Sequence, residues 1–127
     1  MTGTPKTPKE IGDKDADGWT YIGTSVDTGK PLYVAPADEG VMKWQDAKAA
    51  ADQKGARLPS VGELRQIFNN RAKVPDLKTK GYPASWYWTS SPKLIPHGYA
   101  RTRRMGDGAV TSAMLKAKLN TRLVKSL

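Results

Sequence analysis

Ser60-Val-Gly-Glu-Leu-Arg-Gln-Ile-Phe-Asn-Asn70 is the stretch whose reading decides the fold. Ser60 and Glu63 stand three apart, so the Ser hydroxyl can accept the Glu63 amide while the Glu carboxylate reaches back to the Ser60 amide. Val61, Leu64, Ile67 and Phe68 then recur at helical spacing as one apolar stripe, which Asn69-Asn70 ends. A second helix is predicted just upstream, from Met42 to Lys54. There Trp44, Ala47 and Ala51 share a face, and Gly55 sits where a helix stop belongs. Two one-sided helices need a surface to cover.

That surface is predicted to be β. Trp19-Thr-Tyr-Ile-Gly23 and Pro31-Leu-Tyr-Val-Ala35 are short aromatic and branched runs joined by the turn Asp27-Thr-Gly-Lys30. After a long loop over residues 72–85, Trp86-Tyr-Trp-Thr89 alternates, with Trp86 and Trp88 on one face and Tyr87 on the other. Strand-like runs recur at 98–105, 109–115 and 120–126, and Gly106-Asp-Gly108 turns the chain between the first two. A hairpin, two helices and an antiparallel meander make an α+β chain, two helices packed on a twisted antiparallel sheet.

The chain has 127 residues, 38% of them hydrophobic. That suits one domain over 10–127 behind a polar tail, residues 1–9. No cysteine is present, which excludes disulfides, thiolate metal sites and a Cys nucleophile. No apolar run approaches a membrane span. Residues 1–9 lack the apolar stretch of a signal peptide, so the expected location is cytoplasmic or beyond a non-Sec export route. The net charge of +9 is one-sided. Through residue 70, nine Lys/Arg meet ten Asp/Glu; beyond it, twelve meet only Asp76 and Asp107. Such an excess creates a positive field or serves solubility, and polyanions are candidate partners.

Trp44-Gln-Asp-Ala47, Ala56-Arg-Leu-Pro-Ser60 with Glu63-Leu64, Trp88-Thr-Ser-Ser91, Gly106-Asp-Gly108 and Thr121-Arg-Leu-Val-Lys125 occur in that order. Together they resemble the motifs of the Lcl C-terminal/DUF1566 family over residues 10–127. The resemblance implies a C-type-lectin-like fold with a loop-rich ligand-presenting end. It also implies a binding role, since the family includes bacterial adhesin domains that bind sulfated polysaccharides. Arg101 and Arg103 depart from the pattern, standing where relatives carry inward aromatic or branched residues. Two readings follow: this part of the sheet faces solvent, or Tyr99, Arg101 and Arg103 share a strand face as a cationic platform.

Other chemistry is thinly represented. Asp13-Lys-Asp-Ala-Asp17-Gly18 matches the first half of an EF-hand loop, but Thr24 stands where the bidentate Glu belongs. A polar turn is the alternative. The motifs of calcium-dependent sugar-binding lectins are absent. A lone His97 cannot make a zinc site, and no nucleophile triad or phosphate loop occurs. The expectation is therefore a protein that is not an enzyme and carries no cofactor or metal. Its expected role is to bind an anionic polysaccharide or a protein through Lys93, Tyr99, Arg101, Arg103, Arg104, Lys116 and Lys118, with Arg122 and Lys125 in the same basic set. Alternatives are a nucleic-acid-associated accessory protein without sequence-specific reading, and a structural component of a phage or secretion assembly.

Overall fold

Helix α2 (Val61–Asn69) begins as its sequence dictates. Ser60 Oγ accepts from the Glu63 amide at 3.0 Å, and Glu63 Oε1 accepts from the Ser60 amide at 3.0 Å. The chain is described from a computed structural model over residues 10–92 and 98–126. Helix α1 (Trp44–Gln53) has no side-chain cap at its start but a complete stop at its end. The Gly55 amide reaches the Asp52 carbonyl and the Ala56 amide reaches the Ala51 carbonyl, with Gly55 at φ 64°. This paired closure satisfies carbonyls that the last turn leaves free, and a Cβ at that φ would be strained.

The strands are β1 (Thr20–Thr24), β2 (Pro31–Val34), β3 (Trp86–Pro92), β4 (Tyr99–Arg104), β5 (Val110–Met114) and β6 (Val124–Ser126). The molecule is α+β, as expected. Its strands form two three-stranded antiparallel sheets rather than one, ordered β1-β2-β6 and β3-β4-β5. The predicted meander stops at β5. Residues 120–126 supply a strand only at their end, and it pairs with β2, Val34 opposite Val124. The reason is burial. Residues 119–124 are all buried, with none of the in-and-out alternation of a half-exposed strand.

This segment joins the two sheets. Asn120 exchanges backbone hydrogen bonds with Trp86 and Trp88, at 2.9 and 3.1 Å. Three residues on, the Leu123 carbonyl accepts from Ala35 at 2.9 Å, and Val124 and Arg57 exchange bonds at 3.0 Å. The core follows the same division. Tyr87 packs with Ile22, Leu64, Ile67 and Met105, whereas Trp88 packs with Ala47, Ala51, Leu58 and Leu123. The alternation read in Trp86-Tyr-Trp-Thr89 therefore sends neighbouring aromatic rings into different clusters.

Arg122 overturns its expected place in the basic face, because its side chain is 0% exposed. Its Nε donates to the Ala35 carbonyl at 2.8 Å, Nη1 to Asp38 Oδ1 at 2.7 Å, and Nη2 to the Pro75 carbonyl. Asp38 also accepts from the Tyr87 hydroxyl and from Asn120 Nδ2. Glu63, likewise 0% exposed, receives a fork from Arg57 at 2.5 and 2.7 Å and the Ser25 hydroxyl at 2.5 Å. Burial pushes this carboxyl up, but the Arg57 fork, the Ser25 hydroxyl and the Ser60 amide together push it down further.

Replacing Arg122 with Met should cost about 3–5 kcal/mol, since Asp38, only 11% exposed, loses its cation. Urea unfolding measures this, and a loss below about 1 kcal/mol contradicts the assignment. Glu63 gives a pH prediction. Its folded pKa lies below the unfolded one, so its stabilisation is full above the ordinary carboxylate value of about 4.3 and declines as pH falls below that. Thermal melts from pH 6 to pH 3 should show a steeper fall in wild type than in Glu63→Gln.

Candidate anion-binding face

Register decides which basic residues can act together. Opposite residues of an antiparallel pair share a face. Tyr99, Arg101 and Arg103 lie opposite Met114, Ser112 and Val110, and Arg103 also lies opposite Tyr87. The expected row is therefore one face. Ala100 and Thr102, on the reverse side, are fully buried. Arg101 is exposed, whereas Tyr99 and Arg103 are half-buried.

Arg103 is held in place without an acid. Its Nη1 donates to the Gly108 carbonyl at 2.7 Å, and its Nε is buried with no hydrogen-bond partner. Burial lowers the pKa of this guanidinium, and the nearby charge of Arg65 lowers it further. Arg65 comes from α2, whose apolar face covers the Tyr87 end of the same sheet. Sequence reasoning missed it. Its signal was its position on the flank of the Val61–Phe68 stripe, which places it at the border between helix and sheet. Among the described residues, Arg65, Arg101 and Arg103 form no ion pair.

The turn that anchors Arg103 is clamped. A Cβ at Gly108, φ 80°, would lie 2.9 Å from the Phe68 ring, and one at Gly106 would lie 2.6 Å from the Thr79 carbonyl oxygen. The Gly106-Asp-Gly108 turn thus sits against both α2 and the loop before β3. Its glycines serve close packing as well as turning.

The other expected site residues do not join this row. Arg104 points to the reverse face, where it forks onto Asp107 at 2.9 and 2.5 Å and lies 5.0 Å from the Trp86 ring centroid. That fork pulls the Asp107 carboxyl down to about 2. Lys116 and Lys118 are exposed beyond β5, at the end of the sheet where Leu115 bonds Gly98 beside Tyr99. Lys125 pairs with Asp15 at 2.8 Å and lies over the Trp19 ring, on the other sheet. Lys93 and His97 fall outside the described residues.

The run Asp13–Asp17 closes as a turn. Asp15 Oδ1 accepts the Asp17 and Trp19 amides at 2.9 Å each, and its carboxylate meets Lys125. Among the described residues no His, Asp or Glu group is arranged to hold a metal ion. A cleft of about 100 Å³ between α1 and β3 is lined mainly by apolar atoms of Trp44, Ala51 and Leu58, with Lys48, Arg57 and Ser90 at its walls. Arg57 is already committed to Glu63 there.

No protein-family model matches the chain, and no curated protein matches it either. No helix among the described residues is long and apolar enough to cross a membrane.

Arg103 works against the fold, with a buried Nε that has no partner beside the like charge of Arg65. Arg103→Ser should leave the melting temperature unchanged or raise it by a few degrees. A drop of ten degrees or more by differential scanning fluorimetry contradicts this account of its environment.

Proposed function

We propose that the protein is a non-catalytic binding module that holds anionic groups of a polysaccharide on the exposed face of β4. The observation that carries this reading is the acid-free trio Arg65, Arg101 and Arg103. Like charges brought together repel, and an oxyanion between them removes the repulsion while accepting charge-assisted bonds. Guanidinium groups present forked donors that match sulfate and carboxylate. Tyr99, half-buried on the same face, offers a ring on which a sugar can stack.

Among the described residues the face carries cations and an aromatic ring but no carboxylate or imidazole to move protons, which favours holding over reacting. The same reading takes the fold as lectin-like and related to the Lcl C-terminal/DUF1566 family. The α+β arrangement of two helices and antiparallel strands is compatible with it. So are the roles found for the resembling motifs, the capping box at Ser60 and the clamped turn at Gly106–Gly108.

Heparin, a dermatan sulfate and duplex DNA, each titrated at low and at physiological salt, test the proposal. Heparin should bind, with affinity falling as salt rises. The double variant Arg65→Ser/Arg101→Ser should lose about tenfold and flatten the salt dependence, with an unchanged melting temperature. No binding at low salt, or equal binding by the variant, contradicts the site. Equal affinity and salt slope for DNA and heparin contradicts a polysaccharide preference and leaves generic electrostatics.

A further inference from the structure

The sheet β3-β4-β5 is closed on one side and open on the other. Along β3, Asn120 occupies the outer edge through its bonds to Trp86 and Trp88. Along β5, no strand among the described residues pairs with the outer edge. In an antiparallel ladder, residues alternate between bonding inward and facing outward. The Leu115 amide to Gly98 and the Arg104 amide to Ala109, each at 2.8 Å, fix which ones bond inward on the β4 side. Ala109, Thr111, Ala113 and Leu115 are therefore the inward set. Val110, Ser112 and Met114 turn their N–H and C=O groups outward. The Met114 carbonyl takes the Ala117 amide at 2.9 Å, and the remaining outward groups have no partner among the described residues.

Proteins usually block such an edge with lysine, proline, a bulge or a covering segment. Val110-Thr-Ser-Ala-Met114 has no charge and no proline, and its ladder with β4 runs without a register shift. The ladders β1–β2 and β3–β4 both carry one. Val110 and Met114 are 44% and 42% exposed. By register their side chains share the face of Arg103 and Tyr99, and Ser112 shares that of Arg101. A strand added beside β5 would continue this face. Its side chains would lie two strand spacings, about 10 Å, from the β4 backbone. Extended Arg and Glu side chains span that gap together.

We propose that β5 accepts an extended acidic polypeptide segment as a fourth strand of this sheet. Backbone pairing supplies part of the binding, and Arg101, Arg103 and Arg65 select acidic residues on the facing side. A second copy of the chain fits less well, because it would bring two +9 molecules and two arginine rows together. Residues 1–9 and 93–97 contain no acid and offer the row only lysines. The proposal shares the arginines with the polysaccharide reading but adds the strand edge, so either can fail alone.

The probe is a labelled peptide of about eight residues, alternating Glu and Val, a strand's usual length. Its control has the same sequence and charge with its backbone amides N-methylated, which removes the N–H groups on both sides of the strand and so cannot pair along the edge. The full chain should bind the first peptide at least about tenfold tighter than the second. Hydrogen exchange should slow at the amides of Val110, Ser112 and Met114. The variant Ser112→Pro removes only an outward N–H, so it should keep its fold and its heparin binding while losing the peptide by about tenfold. Arg101→Ser should weaken both ligands. Equal binding of the two peptides, or no slowing at those amides, overturns the edge proposal even where heparin still binds. So does no peptide binding at low salt. A dimer in light scattering that Ser112→Pro dissolves assigns the edge to a second copy and overturns it too. Peptide binding without heparin binding overturns the polysaccharide reading alone.

Discussion

The guanidinium of Arg122 sits where four parts of the chain meet. It reaches the carbonyl of Ala35 after β2, the carboxylate of Asp38, and the carbonyl of Pro75 in the loop behind α2. Asp38 passes the connection on to Tyr87 in β3 and to Asn120 in the seam between the sheets. An ion pair out of water gains little net energy over well-packed apolar groups. Its value here is geometric, because each donor has a single acceptor in a single direction. An apolar side chain would fill the volume without fixing the loop, the seam and both sheets in one register. Burial keeps the Tyr87 phenol far above its ordinary pKa, so it stays a hydrogen-bond donor to Asp38 at any physiological pH.

The same residue type has two fates in this protein, and acids decide which. Arg57, Arg104 and Arg122 each meet a carboxylate, at Glu63, Asp107 and Asp38. Among the described residues, Arg65, Arg71, Arg101 and Arg103 meet none, and Arg71 instead bonds the Phe68 carbonyl and covers the Phe68 ring. The two acids after residue 70 explain part of this. Asp107 is taken by Arg104 on the reverse face, and Asp76 is exposed in the loop before β3. The positive excess of the second half is thus smaller in effect than its sum, since Arg122 and Lys125 are neutralised by acids from the first half. Of the second-half cations without an ion pair among the described residues, Arg101 and Arg103 share one sheet face, while Arg71, Lys73, Lys78, Lys80, Lys116 and Lys118 stand on other segments.

The sequence made local structure legible and long-range pairing obscure, for a physical reason. The capping box, the stop at Gly55 and the alternation at Trp86–Thr89 depend on residues within four positions of one another, and each formed as read. The partner of β6 depends on residues about ninety positions away, and a run of buried residues at 119–124 looks in sequence like any other strand. Arg122 and Arg101 carry the same charge in sequence, and only burial separates them. Arg104 was separable from Arg101 and Arg103 by parity alone, since residues an odd number apart on a strand face opposite ways. Grouping by charge hid what the period of two already contained. Arg65 was hidden differently, as an exposed helix residue whose neighbour in space is a strand far along the chain.

Holding arginines together without an acid works against folding, so something must keep them there. For Arg103 that is the clamped turn, in which Phe68 and Thr79 leave no room for side chains at Gly108 and Gly106. Gly108 in turn offers its carbonyl to the guanidinium. The repulsion is thus met when the domain folds, by apolar packing elsewhere in the same core. On the proposed reading, an anion would find the charges already gathered and need not order them, which is the condition under which a few contacts bind well. Freely spaced lysines would give solubility without gathering like charges, which is why the proposed reading rests on the row itself and not on the net charge.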